Sequence, residues 1–218
     1  DLDRTPEIDA FAGALLIRQT AGRPHPLRHE WLSVSRTHAV YAAGEWLVER
    51  THRGAYPETS WCRAGTRAAV RPDLLLGRKR PASENDRRLR FVGVGLPLHR
   101  FADGLRGHAA ELLSRDGDLV TIRFSRPAQK REQLLVVDTA RRVPVEQRVL
   151  DRGAVTMTLR WSEWTEVAGL PFAGLVEQID AGGTVAYRTR TEASAPAAPD
   201  AAGDIARRVG AIGDVLFL

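Results

Sequence analysis

Two segments in the second half of the chain alternate strictly between apolar and polar residues, and this period constrains the fold most. The first is Val120–Phe124, and in the second Val155, Met157, Leu159 and Trp161 alternate with Thr156, Thr158 and Arg160. Successive side chains of a β-strand point to opposite faces of a sheet, so both segments are predicted to be half-buried strands. The four apolar residues of the second segment should therefore share one face.

Short turn signals separate these segments from further strand-like runs. Asp116-Gly117 and Asp151-Arg152-Gly153 are typical of hairpin turns, and the spacings leave no room for crossover helices. Successive strands should therefore be antiparallel neighbours in one meander. The clearest predicted strands are Trp31–Val40, Trp46–Glu49, Val120–Phe124, Leu134–Val137, Val143–Val149, Val155–Trp161 and Leu175–Ile179. Trp61-Cys62 and Trp164 are also predicted to lie on strands.

Helical signals are few and short. Thr5 and Pro6 are typical of the start of a helix. This helix must be short, because the apolar run from Leu15 and a Gly-Arg-Pro turn soon follow. In the segment from Pro97 to Leu105, Leu98, Phe101, Ala102 and Leu105 follow the spacing of one helical face. The segment 51–90 is the least regular, with repeated Gly, Pro and charged clusters. The predicted fold class is mainly β with few helices.

The end of the chain differs in composition from the rest. Residues 191–203 are rich in Ala, Pro and acidic residues without periodicity, which is typical of a linker. We therefore expect a β domain over residues 1–190, and a linker with an apolar tail over 191–218. Because the sequence starts at Asp1 and stops on Val215-Leu216-Phe217-Leu218, we also expect either a removed leader or a fragment of a longer protein.

The composition favours a globular protein and does not favour a nucleic-acid partner. Apolar residues make up 43% of the chain, and no apolar run is long enough for a membrane-spanning helix. The net charge is +5, but only Lys79 and Lys130 are lysines among the 32 basic residues, and the arginines are scattered. The densest basic cluster, Arg78-Lys79-Arg80, is predicted to be a solvent-exposed loop without aromatic residues for base stacking.

No motif indicates catalysis, a cofactor or a metal. Cys62 is the only cysteine, which excludes a zinc site of several cysteines and favours burial as a small apolar residue. The sequence contains neither a P-loop nor a G-x-S-x-G nucleophile motif. The enzymatic alternative depends on His99, Asp103 and His108, of which the first two would share a helical face. We expect a protein that is not an enzyme.

The segment from Glu111 to Thr191 resembles the C-terminal half of the LolA/LolB-like superfamily, which includes periplasmic lipoprotein carriers. The resemblance rests on Val136–Pro144, Met157–Trp161 and Trp164–Pro171, which are similar to the strand–turn–strand patterns of that family. Pro97–Leu105 resembles its short helix across the sheet. The resemblance implies a curved antiparallel half-barrel covered by short helices, with a cavity for acyl chains. It also implies a periplasmic or otherwise extracytoplasmic location.

We therefore expect a non-catalytic protein that binds an apolar ligand, either a lipid chain or a lipidated protein, with peripheral membrane contact. The alternative is a protein-interaction module of a larger envelope protein, with a filled core. The five tryptophans (Trp31, Trp46, Trp61, Trp161 and Trp164) all lie on predicted strands, where they either pack in the core or line a cavity. The residues expected to line the cavity are Leu98, Phe101, Leu105, Met157, Trp161 and Trp46.

The face assignment of the strand around Met157 is testable by a pair of substitutions. Met157→Asp should cost several kcal/mol of unfolding free energy because it buries an unpaired charge, whereas Thr156→Asp should be nearly neutral. Denaturant unfolding of both variants measures the difference. Equal effects would show that the face assignment is wrong.

Overall fold

The computed structural model describes residues 14–25, 31–42, 44–53, 55–83, 107–126, 130–195, 200–213 and 215–217. Within these ranges the chain forms fourteen strands, a short 3-10 helix at Pro72–Leu74 and one α-helix, α1. The elements are β1 (Ala14–Pro24), β2 (Trp31–Ala42), β3 (Glu45–His52), β4 (Tyr56–Arg63), β5 (Thr66–Arg71), β6 (Leu76–Pro81), β7 (Ala109–Asp116), β8 (Leu119–Ser125), β9 (Arg131–Asp138), β10 (Val143–Asp151), β11 (Ala154–Val167), β12 (Leu170–Asp180), β13 (Val185–Ser194), α1 (Ala201–Gly210) and β14 (Leu216–Phe217).

All these strands belong to one open, curved sheet in the order β14-β6-β5-β4-β3-β2-β1-β13-β12-β11-β10-β9-β8-β7. The pairs are antiparallel except that of β14 with β6. Each of the predicted strands between Val120 and Ile179 pairs with its sequence neighbours in antiparallel register, which confirms the meander and the mainly-β class. Two meanders, β1–β6 and β7–β13, meet where β1 pairs with β13.

The first meander is more regular than the sequence indicated. The segment expected to be irregular contains β4, β5 and β6, and Arg78-Lys79-Arg80 lies on a strand rather than in a loop. Its side chains are exposed as expected. The Gly-Arg-Pro turn predicted at 22–24 is wrong, because β1 continues through these residues with a register shift after Ala21. In β5 and β6, apolar and polar residues do not alternate clearly, so no periodic pattern in the sequence indicated these strands.

The turn between β5 and β6 is organised by one ion pair. The Arg71 guanidinium donates two hydrogen bonds to the Asp73 carboxylate, at 3.0 and 2.8 Å. Through these bonds it holds the pKa of Asp73 below its ordinary value. Leu75 follows in the left-handed region, at φ 53°, where the chain reverses into β6.

Helix α1 packs on one side of the sheet, which we call the helix face. Residues directly opposite one another in the register share a face, so Leu16, Val40, Leu47, Trp61 and Ala68 form a row across β1–β5 on this side. Ile205 of α1 is fully buried in the cluster that contains Val40, Leu47, Trp61 and Ala68. Both ends of the segment 191–203, which the composition indicated to be a linker, belong to regular elements, because β13 runs to Ser194 and α1 begins at Ala201.

The opposite side of the sheet, which we call the second face, holds two further apolar clusters. Phe172, Ala193, Ile17 and Ala39 lie side by side across the junction of the two meanders, and Phe172, Ile17 and Ala39 are buried in one cluster. Phe124, Leu135 and Trp161 form the centre of the other. The continuous row explains how the two meanders share one core.

From Thr156 to Trp161 the alternation of β11 holds, and the burial of its second-face side chains is graded along the strand. Trp161 is buried, Leu159 and Met157 are half-buried, and Val155 is 39% exposed. The register with β10 shifts between Val149 and Leu150, so Val155 lies opposite Leu150 and not in the row of Met157. The pairing of β11 with β12 also begins only at Met157, so Val155 has a neighbouring strand on one side. The cost of Met157→Asp should accordingly be smaller than full burial implies.

Among the residues that the structure describes, no helix is long and apolar enough to cross a membrane.

A matched pair of leucines tests the core assignment. Leu47 is 1% exposed under α1, and Leu112 on β7 is 65% exposed. Leu47→Ala should lower the unfolding free energy by about 2–5 kcal/mol because it leaves a cavity, whereas Leu112→Ala should change it by less than about 0.5 kcal/mol. Urea unfolding measures both, and similar losses in the two variants would contradict the placement of Leu47.

Candidate functional site

A groove with a volume of about 670 Å³ lies on β1–β4 beside α1. Two adjacent rows of side chains on the helix face form most of its lining. One row is Arg18, His38, Glu49 and Thr59, and the other is Thr20, Arg36, Thr51 and Pro57. The remaining lining residues, Gln19, Thr37, Arg50 and Glu58, alternate with these along the strands and point to the second face.

The side chains of the helix face change character along the strands. The row under α1 is apolar, and Leu16, Val40 and Leu47 belong to it. Two residues further along, the opposed side chains are Arg18, His38 and Glu49. The groove therefore begins where the apolar cover of α1 ends, and its walls combine charged tips with threonine methyls, the Pro57 ring and arginine stems.

The last turn of α1 is tied to the edge of the groove by Arg208. Its guanidinium donates to the Glu49 carboxylate and lies 3.3 Å from Nδ1 of His38, and that nitrogen lies 3.5 Å from Oε2 of Glu49. Arg208 also lies 3.6 Å from Asp204 one turn earlier in α1. The side chain of Asp200 caps the N-terminus of the helix by accepting from the Gly203 amide. Helix α1 is thus capped at its N-terminus and tied to the sheet near its C-terminus.

The second face below the groove carries buried polar contacts. Gln19 donates to the Thr191 hydroxyl at 3.2 Å across the β1–β13 pair, and Nε of Arg50 lies 3.4 Å from the Thr37 hydroxyl. The Arg50–Thr37 contact joins β3 to β2 in the floor of the groove, and the Gln19–Thr191 contact joins β1 to β13. They hold the groove floor in register, and their side chains point to the second face, away from the opening of the groove.

The structure places the described members of the predicted cavity on the second face, away from the groove. Trp46, Met157 and Trp161 share that face, but Trp46 belongs to the cluster around Ile17 and Trp161 to the cluster around Phe124. Trp46 also stacks under Arg67, at 4.5 Å. Leu98, Phe101 and Leu105 lie outside the described residues, so the predicted cavity beneath Pro97–Leu105 stays a prediction.

The residues of the enzymatic alternative are also only partly described. His99 and Asp103 lie outside the described residues, and Nδ1 of His108 accepts a hydrogen bond from Nε of Arg126 at 3.3 Å. Within the described part of the chain, no three His, Cys, Asp or Glu residues are grouped closely enough to hold a metal ion. Cys62 is buried, as expected for a small apolar side chain.

The groove residues were missed because no local pattern joins them. Arg18, His38 and Glu49 stand on three different strands, and only the register of β1, β2 and β3 brings them side by side. A useful signal lies in the alternate positions of β2 on the helix face, which change from polar at Arg36 and His38 to apolar at Val40.

Comparisons with solved structures show the fold. The structure of a DUF1329 family protein from Desulfovibrio piger aligns with a TM-score of 0.53 at 9% identity, over 92% of each chain. The LolA superfamily protein NE2245 from Nitrosomonas europaea aligns with a TM-score of 0.47 at 12% identity, over 91% of this chain and 93% of that one. MucB in complex with MucA(peri) is a more distant match, with a TM-score of 0.26, 11% identity and 61% of that chain covered.

At 9% identity, the likeness to the DUF1329 family protein shows the fold alone. No protein-family model matches the chain. No curated protein matches it either.

The tie between α1 and the groove is measurable by a double-mutant cycle on Arg208 and Glu49. Both side chains are partly exposed, at 27% and 39%, so solvent screening should limit their coupling to about 0.5–1 kcal/mol. The coupling should fall as salt is raised. The control cycle pairs Glu49→Ala with Arg207→Ala, whose side chain is 76% exposed and contacts Asp204. Equal coupling in the two cycles would contradict a specific Arg208–Glu49 contact.

Proposed function

We propose that this chain is a non-catalytic binding protein that holds an acyl chain, of a lipid or a lipidated protein, in the groove beside α1. The observation that carries the proposal is the groove itself. Its volume of about 670 Å³ lies within the range of about 300–1,000 Å³ that is typical of small-molecule sites.

The groove suits a flexible hydrocarbon because its apolar parts are continuous with the core under α1. Threonine methyls, the Pro57 ring and the stems of the arginines lie one row from Leu16, Val40 and Leu47. Each methylene removed from water contributes about 0.8 kcal/mol, so even a short stretch of hydrocarbon along the walls gives useful affinity. No pair of groups in the groove has the arrangement of a nucleophile with its base.

The fold is consistent with this proposal but does not carry it, because one sheet architecture supports many functions. We extend the proposal to a location outside the cytoplasm, with peripheral membrane contact during ligand transfer. This extension rests on the sequence resemblance to periplasmic lipoprotein carriers.

A protein-interaction module with a filled core is the second candidate function. The observation that favours it is the dense packing of the second face, where Leu15, Ile17 and Ala39 are all 0% exposed. Such packing leaves little room for a ligand around these residues. If the chain works in this way, the groove need not bind any apolar molecule.

The proposal is tested by titrating the protein with the methyl ester of cis-parinaric acid, a neutral fluorescent acyl probe. Thr51→Trp places a bulky ring in the groove and should weaken binding by at least about tenfold, the loss expected when an apolar contact of about 1.4 kcal/mol is blocked. The matched control, Thr121→Trp on β8, lies outside the groove and should bind as the unmodified protein does.

A third variant separates the two faces of the sheet. Met157→Trp changes the second face, where the sequence analysis expected the cavity. If this variant loses the probe while Thr51→Trp keeps it, the ligand site is on the second face instead. If the unmodified protein does not bind the probe at all, the carrier proposal fails and the interaction module is favoured.

A further inference from the structure

We infer that the groove selects anionic amphiphiles, binding a carboxylate or phosphate head group between Arg18 and Arg36 with the hydrocarbon directed toward α1. This inference rests on the proposed function and adds the chemical class of the ligand and the residues that recognise it. Its starting point is the charge on the groove lining. Four titratable side chains of the helix face line the groove: Arg18, Arg36, His38 and Glu49.

Glu49 is the only acid among these four, and it is already engaged. Its carboxylate accepts from Arg208 and lies 3.5 Å from Nδ1 of His38. Glu58 is also near the groove but alternates to the second face with Arg50, its partner in the register. On the helix face, Glu192 of β13 lies opposite Arg18 but outside the groove, and among the described residues it makes no ion pair with Arg18. Within the groove lining itself, no free carboxylate on the helix face neutralises the two arginines.

Arg18 and Arg36 have no hydrogen bond, ion pair or aromatic contact with any other residue in the described part of the chain. Most arginines around them do have such contacts: Arg50 contacts Thr37, Arg188 donates to Glu177, and Arg208 donates to Glu49. Two unpaired guanidinium groups in one concave site attract an anion and hold it with bidentate hydrogen bonds.

The register brings the two arginines within reach of one head group. Arg18 is paired with His38 on β2, and Arg36 is two residues from His38 on the same face. Such diagonal neighbours are about 7–8 Å apart at the backbone, so their long side chains can converge on one carboxylate or phosphate. Arg36 lies between Thr20 and Thr51 in its own row, and both hydroxyls can donate to the same anion.

The polarity gradient of the helix face gives the ligand its direction. From Arg36 the rows run through Arg18 and His38 to Leu16 and Val40, which lie in the apolar cluster under α1. An amphiphile bound in this direction matches charge with charge at one end and apolar surface with apolar surface at the other. A small inorganic anion would use only the first half of this arrangement.

The test compares three ligands by fluorescence titration and competition: cis-parinaric acid, its methyl ester and inorganic phosphate. The free acid should bind at least about tenfold more tightly than the ester, since charge-assisted hydrogen bonds to a guanidinium are the strong class. Added phosphate should displace the acid only at far higher concentrations, because it gains nothing from the apolar row.

Variants assign the preference to the two arginines. The double change Arg18→Gln with Arg36→Gln should abolish the preference, so that acid and ester bind this variant with equal affinity. Arg18→Lys with Arg36→Lys keeps both charges and should retain most of the preference. Arg131→Gln, an exposed arginine on β9 outside the groove, makes the same chemical change and should have no effect.

Each result supports or overturns the inference. Equal binding of acid and ester, or an unchanged preference in the glutamine double variant, overturns it while leaving acyl-chain binding in place. Phosphate that competes as strongly as the acid shows a site for free anions and also overturns it. Failure of both acid and ester to bind removes the proposed function together with the inference. Circular dichroism of the variants checks that the sheet is intact.

Discussion

The pairing of β1 with β13 is the interaction on which the rest of the structure depends. It joins residues more than 170 positions apart, such as Gln19 and Thr191, whose side chains form a buried hydrogen bond across the pair. Without it, β1 and β13 would each be an unpaired sheet edge inside the molecule. With it, Ile17 and Ala193 lie side by side, and the core of the second face runs without interruption from Phe172 to Val48. The floor of the groove depends on the same pairing, because β1 contributes Arg18 and Thr20.

The sequence predicted the second meander well, because its strands carry their own period. In β8 and β11 the alternation is strict, and hairpin turns set which strands pair. The same method placed only Trp61-Cys62 of β4 on a strand and did not find β5 or β6, because these sequences (YPETSWCR, TRAAVR and LGRKRP) do not alternate cleanly. Those strands are specified by pairing with β3 and with each other. Residues that are neighbours only through pairing leave no periodic signal within a single strand.

The candidate site was beyond sequence analysis for a related reason. Trp46, Met157 and Trp161 attract attention because aromatic and thioether side chains on strands are usually buried or bind ligands. The groove is instead built from arginine, threonine, histidine and glutamate, which are ordinary residues of an exposed sheet face. What distinguishes Arg18 and Arg36 is that they line the groove and also have no partner among the described residues. That property exists only once the register and the position of α1 are known.

The length of α1 explains why there is a groove at all. A helix of ten residues is about 15 Å long, whereas a strand of twelve residues such as β2 is about 40 Å long. The helix therefore covers only part of β2. The helix-face residues of β2 are apolar where the helix covers them and polar where it does not. Val40 and Ala42 lie in the cluster with Ile205, and Arg36 and His38 lie beyond it. A longer helix would need apolar residues at positions 36 and 38 and would fill the groove. The groove is thus the part of the helix face that the short helix does not cover. Arg208 fixes the end of the helix at the border between the apolar core and the polar rows that line the groove.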